Sequence, residues 1–276
     1  MQKFSFHTHT TFSDGKGTTE EMIAHAAAIG LEEIGISDHL IVHKNAKQMP
    51  AYEEVKNILH TSFNELTDIC NKHAEDIRKA SKKYAIKARV GYEADYFTYN
   101  GWDEEFADFL KKIDYDYLIS GNHYFMSDDG EDIFDIWLFN KYKNLAPENI
   151  TVYLNRHFQT LSRAILSKRF WFLAHPDYVQ VVNGYREDDY KAEILNVVQA
   201  LFSTKTGCEI STKGIRKFGH FYPSKNILSQ LIVKNIPIIV SDDAHAPDQI
   251  CSHFDEAEKE LAAFNCKERL FFAKKS

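Results

Sequence analysis

The strand-like stretches of this sequence keep ending in residues that bind metals. His7-Thr8-His9 follows the short apolar stretch Lys3 to Phe6, and five further strand-like segments run into His39, Glu93, His123, His175 and Asp243-Ala244-His245. A single His-x-His is a weak signal, because residues i and i+2 of any strand share a face. Repetition at the same end of successive strands constrains far more. In a parallel barrel every strand delivers its C-terminal end to one mouth, so side chains distant in sequence converge there.

The alternation of elements supports that architecture. Strands are expected at Lys3 to Phe6, Glu33 to Ser37, Ala85 to Tyr92, Tyr115 to Ser120, Phe170 to Ala174, Gly207 to Ile210 and Pro237 to Val240. A helix capped near Thr18 or Thr19, with Glu20 and Glu21 in its first turn, follows the first strand. Val55, Leu59, Phe63, Leu66 and Ile69 recur at helical spacing in a long stretch from Tyr52 to Tyr84. Further helices are expected at Asp103 to Lys112, Phe134 to Lys143, Thr151 to Lys168, Asp188 to Phe202, Ser224 to Lys234 and Asp255 to Phe264, with an edge strand at Leu270 to Phe272. Seven strands joined by helix-containing connections predict an α/β fold, a (β/α)7 TIM-like barrel with the candidate ligands at the C-terminal ends of its strands.

A chain of 276 residues is long enough for one such barrel, and no linker, repeat or low-complexity tract divides it, so residues 1–276 read as a single domain. The net charge of -7 argues against gripping a nucleic-acid backbone, which calls for a basic face. Cys70, Cys208, Cys251 and Cys266 are scattered without Cys-x-x-Cys spacing, as in a reduced cytoplasmic protein. Neither a signal-like N-terminus nor an apolar run of membrane-spanning length is present. The expected partner is therefore a small molecule, with no nucleic acid and no membrane; the sequence leaves the oligomeric state open.

Histidine nitrogen together with carboxylate oxygen suits Zn, Mn or Fe, and one carboxylate can bridge two ions. The candidates are His7, His9, Asp14, His39, Glu93, His123, His175, Asp243 and His245, nine in all and too many for one ion. With Glu93 shared they would fill two or three divalent sites that keep positions open for water and substrate. A hydroxide held between two such cations attacks phosphorus at neutral pH, so the implied reaction is hydrolysis of a phosphate ester.

The runs His7-Thr8-His9-Thr10-Thr11-Phe12-Ser13-Asp14-Gly15, Ser37-Asp38-His39, Gly91-Tyr92-Glu93, Gly121-Asn122-His123, Ala174-His175-Pro176-Asp177 and Ser241-Asp242-Asp243-Ala244-His245 together resemble the polymerase and histidinol phosphatase (PHP) superfamily, over essentially the whole chain. Glu209 to Lys217, Tyr222-Pro223-Ser224 and the long insertion between His39 and Glu93 are similar to its histidinol-phosphate phosphatase branch. The resemblance implies a distorted seven-stranded barrel with a trinuclear centre. His7, His9, Glu93 and Asp243 would hold the first ion, Glu93, His123 and His175 the second, and Asp14, His39 and His245 the third. It implies hydrolysis of L-histidinol phosphate in histidine synthesis, or, as an alternative, of a nucleotide or other small phosphate ester. Two departures stand out: Asp14, where many members have histidine, and Asn122, where a small apolar or β-branched residue is more usual.

Arg216 follows the sixth strand, and its guanidinium fork matches phosphate oxygens, making it the first candidate for gripping the phosphoryl group; with Glu93 and Asp243 it completes the expected catalytic set. Arg163 and His43 are second choices for substrate binding. Asp38 and Asp177 are expected to orient neighbouring histidines, and Asp242 either supports Asp243 or replaces it as ligand. His25, His60, His73, His157, His220 and His253 read as structural, while Tyr96, Phe125 and Tyr222 are candidates for a pocket wall.

Overall fold

In the computed structural model, which describes residues 2–141 and 150–272, seven short strands curl into a nearly closed barrel. They are β1 (Phe4–Ser5), β2 (Glu33–Ile36), β3 (Lys87–Ala94), β4 (Tyr117–Ser120), β5 (Phe172–Leu173), β6 (Gly207–Ser211) and β7 (Ile238–Ser241). Neighbours pair in that order, and every pair is parallel. Just past the ends of β1 and β7, Thr8 and Ala244 form a parallel bridge. His9 N–H donates to the Ala244 carbonyl at 2.8 Å, and Ala244 N–H to that of His7 at 3.2 Å. The expected α/β barrel of seven strands is the observed one.

Packing inside the barrel dictates small residues at two places. The Tyr117 ring of β4 lies across the interior, its hydroxyl donating to the Phe6 carbonyl at 2.8 Å. A Cβ on Gly35 of β2 would sit 2.1 Å from that hydroxyl oxygen, and one on Gly91 of β3 would sit 2.2 Å from the ring. Phe6, Ile119, Phe172, Ala174 and Ile239 fill the rest of this layer. Burying an aromatic side chain of this kind contributes roughly 2–3 kcal/mol, so the layer is a floor on which the mouth is built. Leu270 and Phe272, expected as an edge strand, pack against this layer instead. The bridge Ile238↔Arg269, with Ile238 N–H donating to the Glu268 carbonyl and Leu270 N–H to that of Ile238, ties that segment to β7.

Helices surround the barrel. Thr18 caps Thr19–Ala28 with a complete capping box to Glu21, and Ser224 caps Lys225–Val233 through the Ile227 N–H. The stretch from Tyr52 to Tyr84 does not form one helix. It divides into a turn of helix Tyr52–Val55, a strand Leu59–His60 and the long helix Thr67–Lys83. Leu59 and His60 pair with Ile41 and Val42, and Ser62 starts a new turn by accepting from Asn64 N–H. Cys70, His73, Ala74, Ile77 and Ala80 are the stripe that the long helix buries, leaving Ile69 half exposed. Nor does Phe134 to Asn140 form the expected helix. Ile133–Asp135 pairs antiparallel with Tyr124–Met126, and a short 3-10 turn Leu138–Asn140 follows. Asp129-Gly130 turns this hairpin, with Gly130 at φ 76°. The remainder of that stretch, from 142, lies outside the described residues.

Candidate metal centre

Each strand end aims its side chain by a local device. Residues 9–14 leave β1 as a tight loop held by the Asp38 carboxylate, which accepts from Thr10 N–H at 2.7 Å, Thr10 Oγ1 at 2.8 Å and Ser13 Oγ at 2.6 Å. Asp38 also lies 2.9 Å from His73 Nε2. It therefore braces the loop that carries His9 and Asp14, and the histidine it partners is His73, which lies outside the nine candidate ligands. A strand beyond β2, His39–Val42, pairs with the end of β3 so that His39 stands opposite Glu93. Asn122 takes the left-handed conformation at φ 55°, which asparagine tolerates and a β-branched residue does not. Its side chain accepts from Ser120 Oγ at 2.9 Å and donates to the Tyr96 carbonyl at 3.2 Å. Asparagine at this position is thus a fit to the turn rather than an irregularity.

These devices bring all nine candidate side chains together at the barrel mouth. Ligand-capable atoms within 4.8 Å of one another occur in His9, Asp14, His39 and His245; in His7, His9 and Asp243; in His7, Glu93 and His175; and in His39, Glu93 and His123. Glu93 is central, its two oxygens lying 2.9 Å from His175 Nε2, 3.2 Å from His39 Nδ1, 3.3 Å from His7 Nε2 and 3.4 Å from His9 Nε2. Gly121 permits this approach, since a Cβ there would meet Glu93 Oε1 at 2.3 Å. The geometric groups cut across the simplest division of ligands, with His9 standing beside His39 and His245 as well as beside His7.

The chemistry of this donor set fits divalent cations. His7 Nε2, both nitrogens of His9, His39 Nδ1, both nitrogens of His175, both oxygens of Glu93 and Oδ1 of Asp243 are buried without a hydrogen-bond partner, while Asp243 Oδ2 is paired with Lys213. Unpaired polar atoms in such number are very costly unless something binds them. Burial alone would push the carboxyls up, yet His7 and His123 hold Glu93 well below the usual carboxylate range, and Lys213 and His7 do the same for Asp243. Asp14 is likewise held down by His39 and His245 against its burial. His9, buried beside His245 and His39, is pushed down to about 4 and stays neutral, the form that donates a lone pair.

Two supporting carboxylates escaped the sequence reading. Asp95 accepts from the His123 N–H and lies 2.8 Å from His123 Nδ1, and Glu209 of β6 lies 2.8 Å from His7 Nδ1 while accepting from Ser241 Oγ and the His175 N–H. Each fixes a histidine ring so that its other nitrogen faces the cluster. Asp95 had a signal: it stands two residues after Glu93, on the same face of the chain. Tyr178 was also missed, with its ring 5.0 Å from the rings of both His123 and His175.

The expected substrate residues are placed differently. Arg216 points its guanidinium at the β7 turn, donating to the carbonyls of Asp242 and Asp243 and, at 2.8 Å, to Ser252 Oγ. Asp243 sits at φ 46°, a left-handed conformation that costs on the order of 1 kcal/mol, and Arg216 braces it. Its donors are thus engaged by the β7 carbonyls and by the hydroxyls of Ser252 and Thr212. Arg163 is exposed on the outer helix Ile150–Leu166. His43 is buried with both ring nitrogens engaged, Nε2 with the Gly130 carbonyl at 2.8 Å and Nδ1 accepting from Asn45 N–H. Asp242 faces away, accepting from Ser5 Oγ and Cys251 N–H. Asp177 accepts from Ser224 N–H and Gln180, so it anchors the Ser224 turn rather than a histidine. Of the proposed wall, Tyr222 comes within 6.4 Å of the His175 ring, while Phe125 belongs to the core and Tyr96 packs edge-on against Trp102.

Comparison with known proteins places the chain in a family and a fold. The chain is 25% identical over 265 residues to a protein of Thermotoga maritima described as a probable histidinol-phosphatase, covering 94% of this chain and 91% of that one. A protein of the same description from Deinococcus radiodurans is 23% identical over 267 residues, covering 92% and 91%. The fold is shared with the histidinol phosphate phosphatase of Lactococcus lactis, solved with Zn, L-histidinol and phosphate, at a TM-score of 0.65 and 17% identity over 99% of this chain and 97% of that one. Residues 5–213 match the PHP domain, a span that holds seven of the nine clustered side chains and both supporting carboxylates, and the chain belongs to the PHP domain family.

Proposed function

We propose that the protein is a metal-dependent phosphomonoesterase acting on L-histidinol phosphate, releasing L-histidinol and inorganic phosphate. The observation that carries the reading is the convergence of nine buried or half-buried donors, most of them without hydrogen-bond partners, at one end of the barrel. His7, His9, Glu93 and Asp243 would hold one ion, Glu93, His123 and His175 a second, and Asp14, His39 and His245 a third. When bound, such ions polarise phosphoryl oxygens and supply a nucleophile at neutral pH.

This chain's own residues do the positioning. Glu209 and Asp95 keep His7 and His123 with one nitrogen toward the cluster. Arg216 keeps the Asp243 carboxylate aimed inward by holding the turn behind it. Glu93, sealed from solvent, shares its two oxygens among histidines from four segments. The relatives' descriptions favour histidinol phosphate as substrate. Turnover of histidinol phosphate should exceed that of nucleotide and sugar phosphates in a panel assayed with Zn or Mn, and Glu93→Gln should abolish it. A nucleotide or sugar phosphate turned over orders of magnitude faster would replace this substrate with another, and full activity in Glu93→Gln would remove the metal-dependent reading itself.

A further inference from the structure

Among the described residues, one lysine or arginine side chain forms an ion pair with the carboxylates of the cluster. Lys213 Nζ lies 2.7 Å from Asp243 Oδ2. Lys213 is the first residue of the short helix Lys213–Phe218, directly after β6, at the barrel mouth. A cation in the first turn opposes the helix dipole, so helix stability does not account for it. The acidic mouth does: Asp14 and Glu93 add to the attraction that Asp243 exerts on the ammonium.

Its exposure separates it from the two fully buried carboxylates of the cluster. The Lys213 side chain is 18% exposed while that of Asp243 is 1% and that of Glu93 is 0%. With Asp14 at 38% and His245 at 18% exposure, Lys213 therefore stands on the solvent side of the buried part of the cluster, where an entering anion is met. An ammonium carries three donors, of which Asp243 takes one, leaving others for an oxyanion. Arg216, the obvious alternative, has turned its donors to the β7 backbone.

We infer that Lys213 is the phosphoryl-binding residue of this site, its ammonium donating to a non-bridging oxygen of a phosphate monoester while it stays paired with Asp243. The inference rests on the phosphomonoesterase reading and adds the residue that selects for a dianionic group. The competing role is a counter-ion that only balances Asp243, which would act on the metal content and leave phosphate affinity alone.

The test uses the metal-loaded full chain and inorganic phosphate as probe, measured by calorimetry and as a product inhibitor, with metal content determined on the same samples. Lys213→Met should raise the phosphate Kd and the ester KM by about 10- to 100-fold, the loss expected of one charge-assisted hydrogen bond, with metal content unchanged. Lys213→Arg should retain phosphate affinity within about five-fold, since the charge and donors persist, and Lys213→Gln serves should the methionine variant not fold. Unchanged phosphate affinity in Lys213→Met or Lys213→Gln overturns the inference, as does loss of phosphate binding together with the metal. If the wild-type protein binds no phosphate and turns over no ester, the functional reading fails first and Lys213 with it.

Discussion

Gly121→Ala places one methyl group where the structure has no room for it. The new Cβ would lie 2.3 Å from Glu93 Oε1, 2.4 Å from His123 Cε1 and 2.8 Å from Glu93 Cδ, against an ordinary contact of 3.4–4 Å, so a side chain must move by about 1 Å. Neither neighbour yields cheaply. Glu93 is fully buried among histidines, and His123 is held by Asp95 through both its ring and its backbone N–H. Gly121 does not itself need a left-handed backbone, so the effect is steric and lands on the bridging carboxylate. A misplacement of about 1 Å in reacting geometry costs on the order of 100-fold in turnover, and overpacking costs about 1–3 kcal/mol of stability. The assay pairs metal content and kcat with a thermal melt. Gly91→Ala is the comparator, because its clash is with the Tyr117 ring in the barrel floor, 2.2 Å from the new atom. That variant should lose stability without a selective loss of metal. A Gly121→Ala protein with wild-type metal content and turnover within about three-fold would refute the placement of Glu93 as a tightly held ligand.

Asp95→Asn should weaken metal binding by about 10- to 100-fold, measured by competition with a chelating dye, because it removes the carboxylate that orients His123; unchanged affinity would make Asp95 a loop anchor only. Stripping metal with a chelator should lower Tm by roughly 5–10 °C, recovered on adding Zn or Mn, as expected when an ion is present at about 1,000 times its Kd; a melt indifferent to chelator contradicts a bound ion. His157 is buried with both ring nitrogens unpartnered, and burial together with His123 and His175 pushes it down to about 3. Its folded pKa lies below the unfolded value of about 6.5, so stability is present above pH 6.5 and falls as pH drops, by up to about 1.4 kcal/mol per unit. Urea melts of His157→Leu should therefore match or exceed wild type at pH 7 and fall less by pH 5; a loss above about 1 kcal/mol at pH 7 would show that the imidazole has a partner.

What was legible in the sequence was what repeats locally. The ends of β1, β3, β4, β5 and β7 carry His7, Glu93, His123, His175 and Asp243 in a common position, and a parallel barrel turns that regularity into convergence. Arg216 is legible as a residue of the β6 loop, but the direction of its guanidinium is not, because it follows from the left-handed turn at Asp243, on another strand. Glu209 stands in a motif the sequence offers, but its role is not legible there, because its partner His7 is 202 residues away. The hairpin after His123 did have one, in Asp129-Gly130, but Phe134, Leu138 and Phe139 gave a helical spacing that obscured it.

The arrangement of carboxylates explains why so many histidines can be kept in one buried place. An unpaired charge in the interior is costly, and a cluster of acids alone would repel itself and take up protons. Here two tiers of acid alternate with histidine. Glu93, Asp14 and Asp243 face the mouth, whereas Asp95 and Glu209 stand behind His123 and His7, on the far side of each ring. With an ion bound, each supported imidazole would give its proton-bearing nitrogen to the rear acid and its lone pair to the front, which would make it a stronger ligand than a free histidine. His9, pushed down to about 4 beside His245 and His39, is a neutral donor without such support. The supported rings therefore fix positions at the barrel wall, and the neutral ring between Asp14 and Asp243 bridges the two sides of the mouth, across from Lys213 on the carboxylate that they share.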